Sequence, residues 1–237
     1  MDQMQRIISK HQHTDGLIAL FPQHQMSGNI SYDFGPSQGH GTLSNVGSRY
    51  DSHSVSKGHY MNASKYDWKV SSYNDIYSVA LKDAFNGDTG AVFVFMKTDV
   101  SWTLDGVTHY AIMLKADADN QIWIAKSSTN NRMDFVYESD GDAKTMLEVG
   151  FTTMDWFCCA MMWDRTLGVD KVRVWVDGVD TAGGVGLGTW AGDLAADFCV
   201  IGASENDGSD CWAGGLGLVS IYNKPLSDEQ MYWLSTP

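Results

Sequence analysis

Residues 157–177 read FCCAMMWDRTLGVDKVRVWVD and run on into Gly178. Two apolar runs, Phe157–Trp163 and Val172–Val176, flank a polar turn that contains Gly168, and a second turn follows at Asp177-Gly178. That is the pattern of a β-hairpin. Strand side chains alternate faces, so Val172, Val174 and Val176 share one face while Lys171, Arg173 and Trp175 share the other. The first face is expected to be core, and the second amphipathic or wet.

The same alternation governs the cysteines. Cys158 and Cys159 are adjacent in a strand, so their side chains leave opposite faces, and a bond between them would need a strained peptide. Nothing in the spacing of Cys199 and Cys211 demands a bridge. Buried free thiols are expected rather than a disulfide framework, and no Cys/His spacing resembles a zinc site.

Length and charge bound the rest. A chain of 237 residues, 43% of them hydrophobic, can bury a full core. The expected organisation is a short N-terminal helical appendage, residues 1–15, and one β-sandwich domain, residues 16–237. The formal net charge is −13, with only 16 Lys and Arg against 29 Asp and Glu. Nucleic acid and anionic membrane both need clustered cations, so neither is an expected partner. Met1–His13 reads MDQMQRIISKHQH, which fits neither a signal peptide nor a membrane span. If the numbering begins at the native start, the expectation is a protein made in the cytoplasm and not exported by the usual route.

Met4, Ile7 and Ile8 fall on one potential helical face of the first ten residues. Such a helix is too short to persist alone and needs a surface to dock on, either the chain's own sandwich or a partner. Leu17–Phe21 is the first strand, stopped by Pro22, and Ser27–Gly41 is loop. Ala91–Met96 is a buried strand, and Tyr110–Lys115, Gln121–Ala125 and Met133–Tyr137 form a meander. Ser227–Leu234, with Ser227 as N-cap ahead of acidic residues, is a short closing helix. Roughly a dozen strands without a long helical period imply an all-β fold of two antiparallel sheets. Six of the seven histidines (His11, His13, His24, His40, His53 and His59) lie in the first quarter of the chain. They share no helix face, so surface or loop-packed imidazoles are expected there rather than a metal site.

Several segments together resemble the laminin G-like, concanavalin A-like jelly-roll family. They are KVRVWVDGV at 171–179, the Gly-rich stretch ending at Trp190, FCVIGA at 198–203, WAGGLGLVSIYNKPLSDEQMYWL at 212–234 and GLIALFPQHQMSGNISYDFGPSQGHGTL at 16–43. The resemblance implies a two-sheet jelly-roll sandwich that pairs its ends, with the strand near Leu17–Phe21 beside the one near Leu216–Tyr222. It also implies a calcium ligand at Asp33, which matches an acidic position of the family. The family's Asp-Glu before the last core strand is Gly217-Leu218 here, so one ligand or hydrogen-bond partner is missing. Asp117–Asn120 and the loop holding Asp207 and Asp210 are further oxygen-rich sites that could serve calcium.

Sugar binding in this fold type uses loop aromatics with carboxylate or amide acceptors beside them. Trp102, Trp190 and Trp212 lie next to glycines and acids in predicted loops and are the candidates, although many of the nine tryptophans must fill the core. Glu138-Ser-Asp140-Gly-Asp142 resembles the Glu-x-Asp-x-Glu strand motif of glucanases with this fold. It carries a glycine and ends in Asp, and is read as a hairpin turn. The resulting expectation is a non-enzymatic recognition or structural module. Its resemblance to accessory proteins of tailed bacteriophages implies a virion component, a capsid decoration or tail-associated protein. Its partners would be virion proteins and host or environmental glycans, with a homo-oligomer as a further option. The alternatives are a carbohydrate-binding module of a secreted protein and a glycoside hydrolase.

Overall fold

The hairpin is present in the protein's structure, a computed structural model that describes residues 3–23, 29–46, 55–56, 59–60, 64–67, 69, 71–102, 106–129, 131–168 and 171–236. Its strands belong to a seven-stranded antiparallel sheet. That sheet contains β1 (Leu17–Pro22), β6 (Ser64–Tyr66), β8 (Thr89–Thr98), β13 (Phe157–Asp164), β14 (Val172–Val176), β15 (Val179–Gly184) and β17 (Gly214–Tyr222). The order is β1-β17-β8-β13-β14-β15, with β6 also on β17. As expected of a jelly roll, the chain's ends pair: Leu17 lies opposite Tyr222 and Ala19 opposite Ile221.

The second sheet has eight strands, in the order β12-β11-β10-β9-β16-β7-β3-β2. In chain order these are β2 (Ile30–Ser31), β3 (Gly41–Ser44), β7 (Tyr73–Asp75), β9 (His109–Asp117), β10 (Asn120–Lys126), β11 (Arg132–Ser139), β12 (Asp142–Val149) and β16 (Cys199–Ile201). A small ladder of β4 (Val55–Ser56) and β5 (His59–Tyr60) stands apart. The count exceeds the dozen expected because several strands are only two or three residues long. The predicted meander is β9-β10-β11, continued by β12 through a turn in which Asp140 and Gly141 both have positive φ.

The main core lies between the sheets. Val92, Val94 and Met96 of β8, with Met161 and Trp163 of β13, pack against the layer that holds Ile112, Leu114, Ile122, Ile124, Phe135 and Tyr137. Val172 and Val174 join them, as their alternation requires. The opposite face of the hairpin is amphipathic rather than wet, with Lys171 and Arg173 partly exposed. Trp175 is 2% exposed and belongs to a second cluster with Phe93, Phe95, Cys158 and Met162. Two helices cover that face: α1 (Gln3–Gln12) contributes Ile8, and α3 (Asp228–Ser235) contributes Met231 and Leu234. Both faces of β8 and β13 are therefore dry, which is why both strands read as continuous apolar runs rather than alternating ones.

The helices are fixed by local chemistry. Ser227 makes a full capping box with Gln230, worth about 1 kcal/mol. Lys10 of α1 donates to the carbonyls of Trp233 (3.3 Å) and Thr236 (3.1 Å), so its ammonium sits at the electronegative end of α3. Ile8 thus docks on the chain's own sheet, while the side chains of Met4 and Ile7 lie outside what is described. His11 is fully buried, unlike the surface imidazole expected; His24 and His53 lie outside the described residues. A third helix, α2 (Val79–Ala84), had no counterpart in the sequence reading and starts where the Ser78 hydroxyl accepts from the Leu81 amide. No helix among the described residues is long and apolar enough to cross a membrane.

All four cysteines are free and buried, with Cys158 and Cys159 in opposite clusters. Burial pushes the Cys199 and Cys211 thiols up to about 12 and that of Cys158 well above its ordinary value. Thiolate is the reactive form, so the native protein at pH 8 is expected to react with a disulfide reagent only over hours. The unfolded chain should release four equivalents within minutes. A fast native equivalent would contradict this burial.

Candidate functional site

The sequence candidates are not gathered into one place. Trp102 is 4% exposed; its indole donates to the Thr153 carbonyl at 2.5 Å, and its ring packs on Phe151 at 4.9 Å. Trp212 is completely buried and donates to the Lys97 carbonyl at 3.0 Å. Neither offers a ring face to a sugar, and both are core residues. Asp33 is 4% exposed, and its carboxylate is already occupied by protein donors. One oxygen accepts from the amides of Leu20 (2.8 Å) and Gly35 (2.7 Å), the other from the Ser37 hydroxyl and the Gly39 amide. It anchors the loop rather than presenting oxygens to calcium. Asp207 closes a turn by accepting from the Ser209 amide at 2.8 Å, and Asp210 is exposed at positive φ beside it. Among the described residues no three acidic, His or Cys side chains converge to hold a metal. Glu138 accepts from Gln121 at 2.6 Å while Asp140 sits in the turn, so the glucanase-like carboxylates do not line one strand face.

Trp190 differs. It is half-buried and forms a wall of a cleft of about 140 Å³, lined also by Lys82, Phe85, Asn86, Asp88 and Asp193. Residues from two distant parts of the chain build it: α2 with its connection to β8, and the extended segment that precedes Ala196–Phe198.

Each side of the cleft is held from below. Asn86 is a turn former: its side-chain oxygen accepts from the Asp88 amide (3.0 Å), and its side-chain amide donates to Thr89 (3.0 Å). Asp88 is thereby fixed. One of its oxygens accepts from the Trp190 backbone amide (3.3 Å), and the other lies 3.2 Å from the Arg165 guanidinium. Buried Asn120 clamps the other side, accepting from the amides of Ala191 (2.9 Å) and Asp140 (3.3 Å) while donating to Asp117 (2.9 Å). That one side chain ties the Trp190 segment to two hairpin turns.

The indole itself is packed against the core and remains only partly buried. Its ring meets Phe85 edge-on at 5.5 Å and lies 6.2 Å from Tyr137, whose hydroxyl donates to the Gly87 carbonyl at 2.7 Å. Gly87 lies flush against the indole, where a Cβ would stand 1.9 Å from the ring. Only glycine fits there. Sequence reading found Trp190 but missed Asp88, Asn86 and Lys82; the available signal was Asn86-Gly87, a turn pair set between a Ser-capped helix and an apolar strand.

Comparison with known proteins gives two results. The family profile described as the concanavalin A-like lectin/glucanases superfamily matches residues 71–231. Among solved structures, the chain is similar to Trypanosoma rangeli sialidase in complex with sialic acid, at 14% identity and a TM-score of 0.61, over 94% of this chain and 33% of that one. It is also similar to the receptor binding domain of botulinum neurotoxin mosaic serotype C/D, at 13% identity and a TM-score of 0.65, over 93% of this chain and 50% of that one. The chain thus spans about a third of the sialidase's length, and at these identities the likeness is one of fold. No curated protein matches it in sequence.

Proposed function

The chain belongs to the concanavalin A-like lectin/glucanases superfamily, and from that premise we propose that it is a non-enzymatic recognition module that binds glycan at the Trp190 cleft. The observation that carries this reading is a partly buried indole lining a cleft beside carboxylates that retain solvent-facing lone pairs. Sugar rings present an apolar face to an aromatic wall and hydroxyls to acceptors around it, which this cleft supplies. Glu138, Asp140 and Asp142 take no catalytic part in this reading, since the turn disperses them.

The cleft is small. Ordinary ligand pockets hold roughly 300 Å³ or more, so there is room for about one sugar ring. About 12 non-hydrogen atoms at roughly 0.3 kcal/mol each give about 4 kcal/mol, a millimolar Kd. Such a site becomes useful when many copies act together, as on a capsid or tail surface or in a homo-oligomer. That is the form in which a virion role belongs to this proposal.

Calorimetric or NMR titration of the whole chain with mono- and disaccharides tests it. Trp190→Ala is expected to weaken binding at least tenfold, about 1.4 kcal/mol, with the thermal transition kept within a few degrees. Binding that survives Trp190→Ala unchanged would place the site elsewhere.

A further inference from the structure

The cleft's charge restricts the chemistry of its occupant. Among the described residues Lys82 is the one ammonium lining it, and two carboxylates already share that ammonium: Asp83 at 2.9 Å and Asp193 at 3.4 Å. Both hold the lysine pKa above its ordinary value. Asp88 faces the guanidinium of Arg165. Three carboxylates therefore face two cations, in a chain whose formal net charge is −13.

The hydrogen-bond inventory points the same way. Several donors around the cleft are engaged inside the protein. The Trp190 amide goes to Asp88, the indole N–H to the Gly192 carbonyl at 3.1 Å, and the Asn86 amide group to Thr89. The most exposed polar groups are acceptors: the Asp193 side chain is 77% exposed and that of Asp88 40%. Carboxylates accept and cannot donate, so a ligand must bring donors and no negative charge. A sugar carboxylate would face like charge where both described cations, Lys82 and Arg165, are already paired, which is discrimination by repulsion.

We propose that the cleft selects a neutral pyranose ring through its hydroxyl donors and rejects sugars that carry a carboxylate. The sialic acid in the similar sialidase is a ligand of the rejected kind. This inference rests on the reading of the Trp190 cleft as a glycan site.

The test titrates the whole chain with paired probes: glucose and glucuronate, galactose and galacturonate, lactose and sialyllactose. At low salt at least one neutral member is expected to bind, with its carboxylated counterpart at least tenfold weaker. Asp193→Asn should narrow that gap, improving the carboxylated member relative to its neutral counterpart whatever it does to neutral binding itself. Equal or tighter binding of the carboxylated member, still lost in Trp190→Ala, would overturn the selectivity and leave the glycan site standing. A preference for protonated glucosamine over glucose would overturn the assignment to a neutral ligand. Absence of binding by every probe, or binding indifferent to Trp190→Ala, would remove the glycan site and this inference with it.

Discussion

Replacing Asp33 by alanine is expected to destabilise the protein by roughly 3–5 kcal/mol, lowering its melting temperature by about 10 °C. The side chain is nearly inaccessible and accepts from three backbone amides and a hydroxyl, spanning Leu20 of β1 and the loop from Gly35 to Gly39. Hydrogen bonds to a charged acceptor contribute about 1.5–3 kcal/mol each, and their loss is not additive because the loop can relax toward water. Asp33→Asn should fall between wild type and alanine, since one oxygen keeps its place while an amide group meets the donors on the other side. Equilibrium urea unfolding of the three proteins measures this. The loss should be the same with added calcium and with chelator, because the carboxylate is satisfied by the protein. A stabilisation by calcium that disappears in Asp33→Ala would restore the metal-ligand reading.

Acid is expected to weaken the fold through His11. Its imidazole is fully buried, with Nδ1 2.8 Å from the Tyr222 hydroxyl and 2.9 Å from that of Ser220, and it packs edge-on to Phe93 at 5.3 Å. Burial pushes its pKa from 6.5 down to about 3, and the nearby Lys10 ammonium adds to the effect. Tyr222, the other titratable group at the imidazole, is held neutral by burial, which raises its pKa. The native state therefore excludes a proton that the unfolded chain takes up below pH 6.5. The stability held by neutral His11 is complete above that pH and is lost at about 1.4 kcal/mol per unit as pH falls toward 3. At pH 5 the loss is roughly 2 kcal/mol. His11→Gln should have a flatter stability profile between pH 6.5 and 3.5, by about one proton, whatever its stability at pH 7. Parallel profiles for the two proteins would show that His11 does not carry the acid response. Hydrogen exchange at acid pH should show α1 opening first, since protonation removes His11, a fully buried anchor of that helix.

The elements legible in the sequence are those whose causes are local. Alternation in Val172–Val176 places Val172 and Val174 in the core, and Asp177-Gly178 takes positive φ because a two-residue hairpin turn requires it. Ser227 announces α3 because a cap acts on the amide three residues later, and neighbouring strand cysteines must diverge whatever surrounds them. Together with the order of the motifs, these determine an all-β jelly roll that pairs its ends.

What only the tertiary structure decided is what lies over each side chain. Trp102, Trp190 and Trp212 look alike in sequence, each beside small or acidic residues. Two of them find carbonyl acceptors 51 and 115 residues away and are sealed in, while the third is left as the wall of a cleft. Asp193 is near Trp190 in the chain, but the other polar partners of that cleft come from Lys82–Asp88, about a hundred residues upstream, so no short window of sequence contains the site. The outer face of Trp175 reads as amphipathic or wet, and what decides between the two is the pair of helices contributed by the ends of the chain, which cover Trp175. Alternation and capping are properties of neighbours along the chain, whereas burial and the convergence of charges depend on residues that only folding brings together.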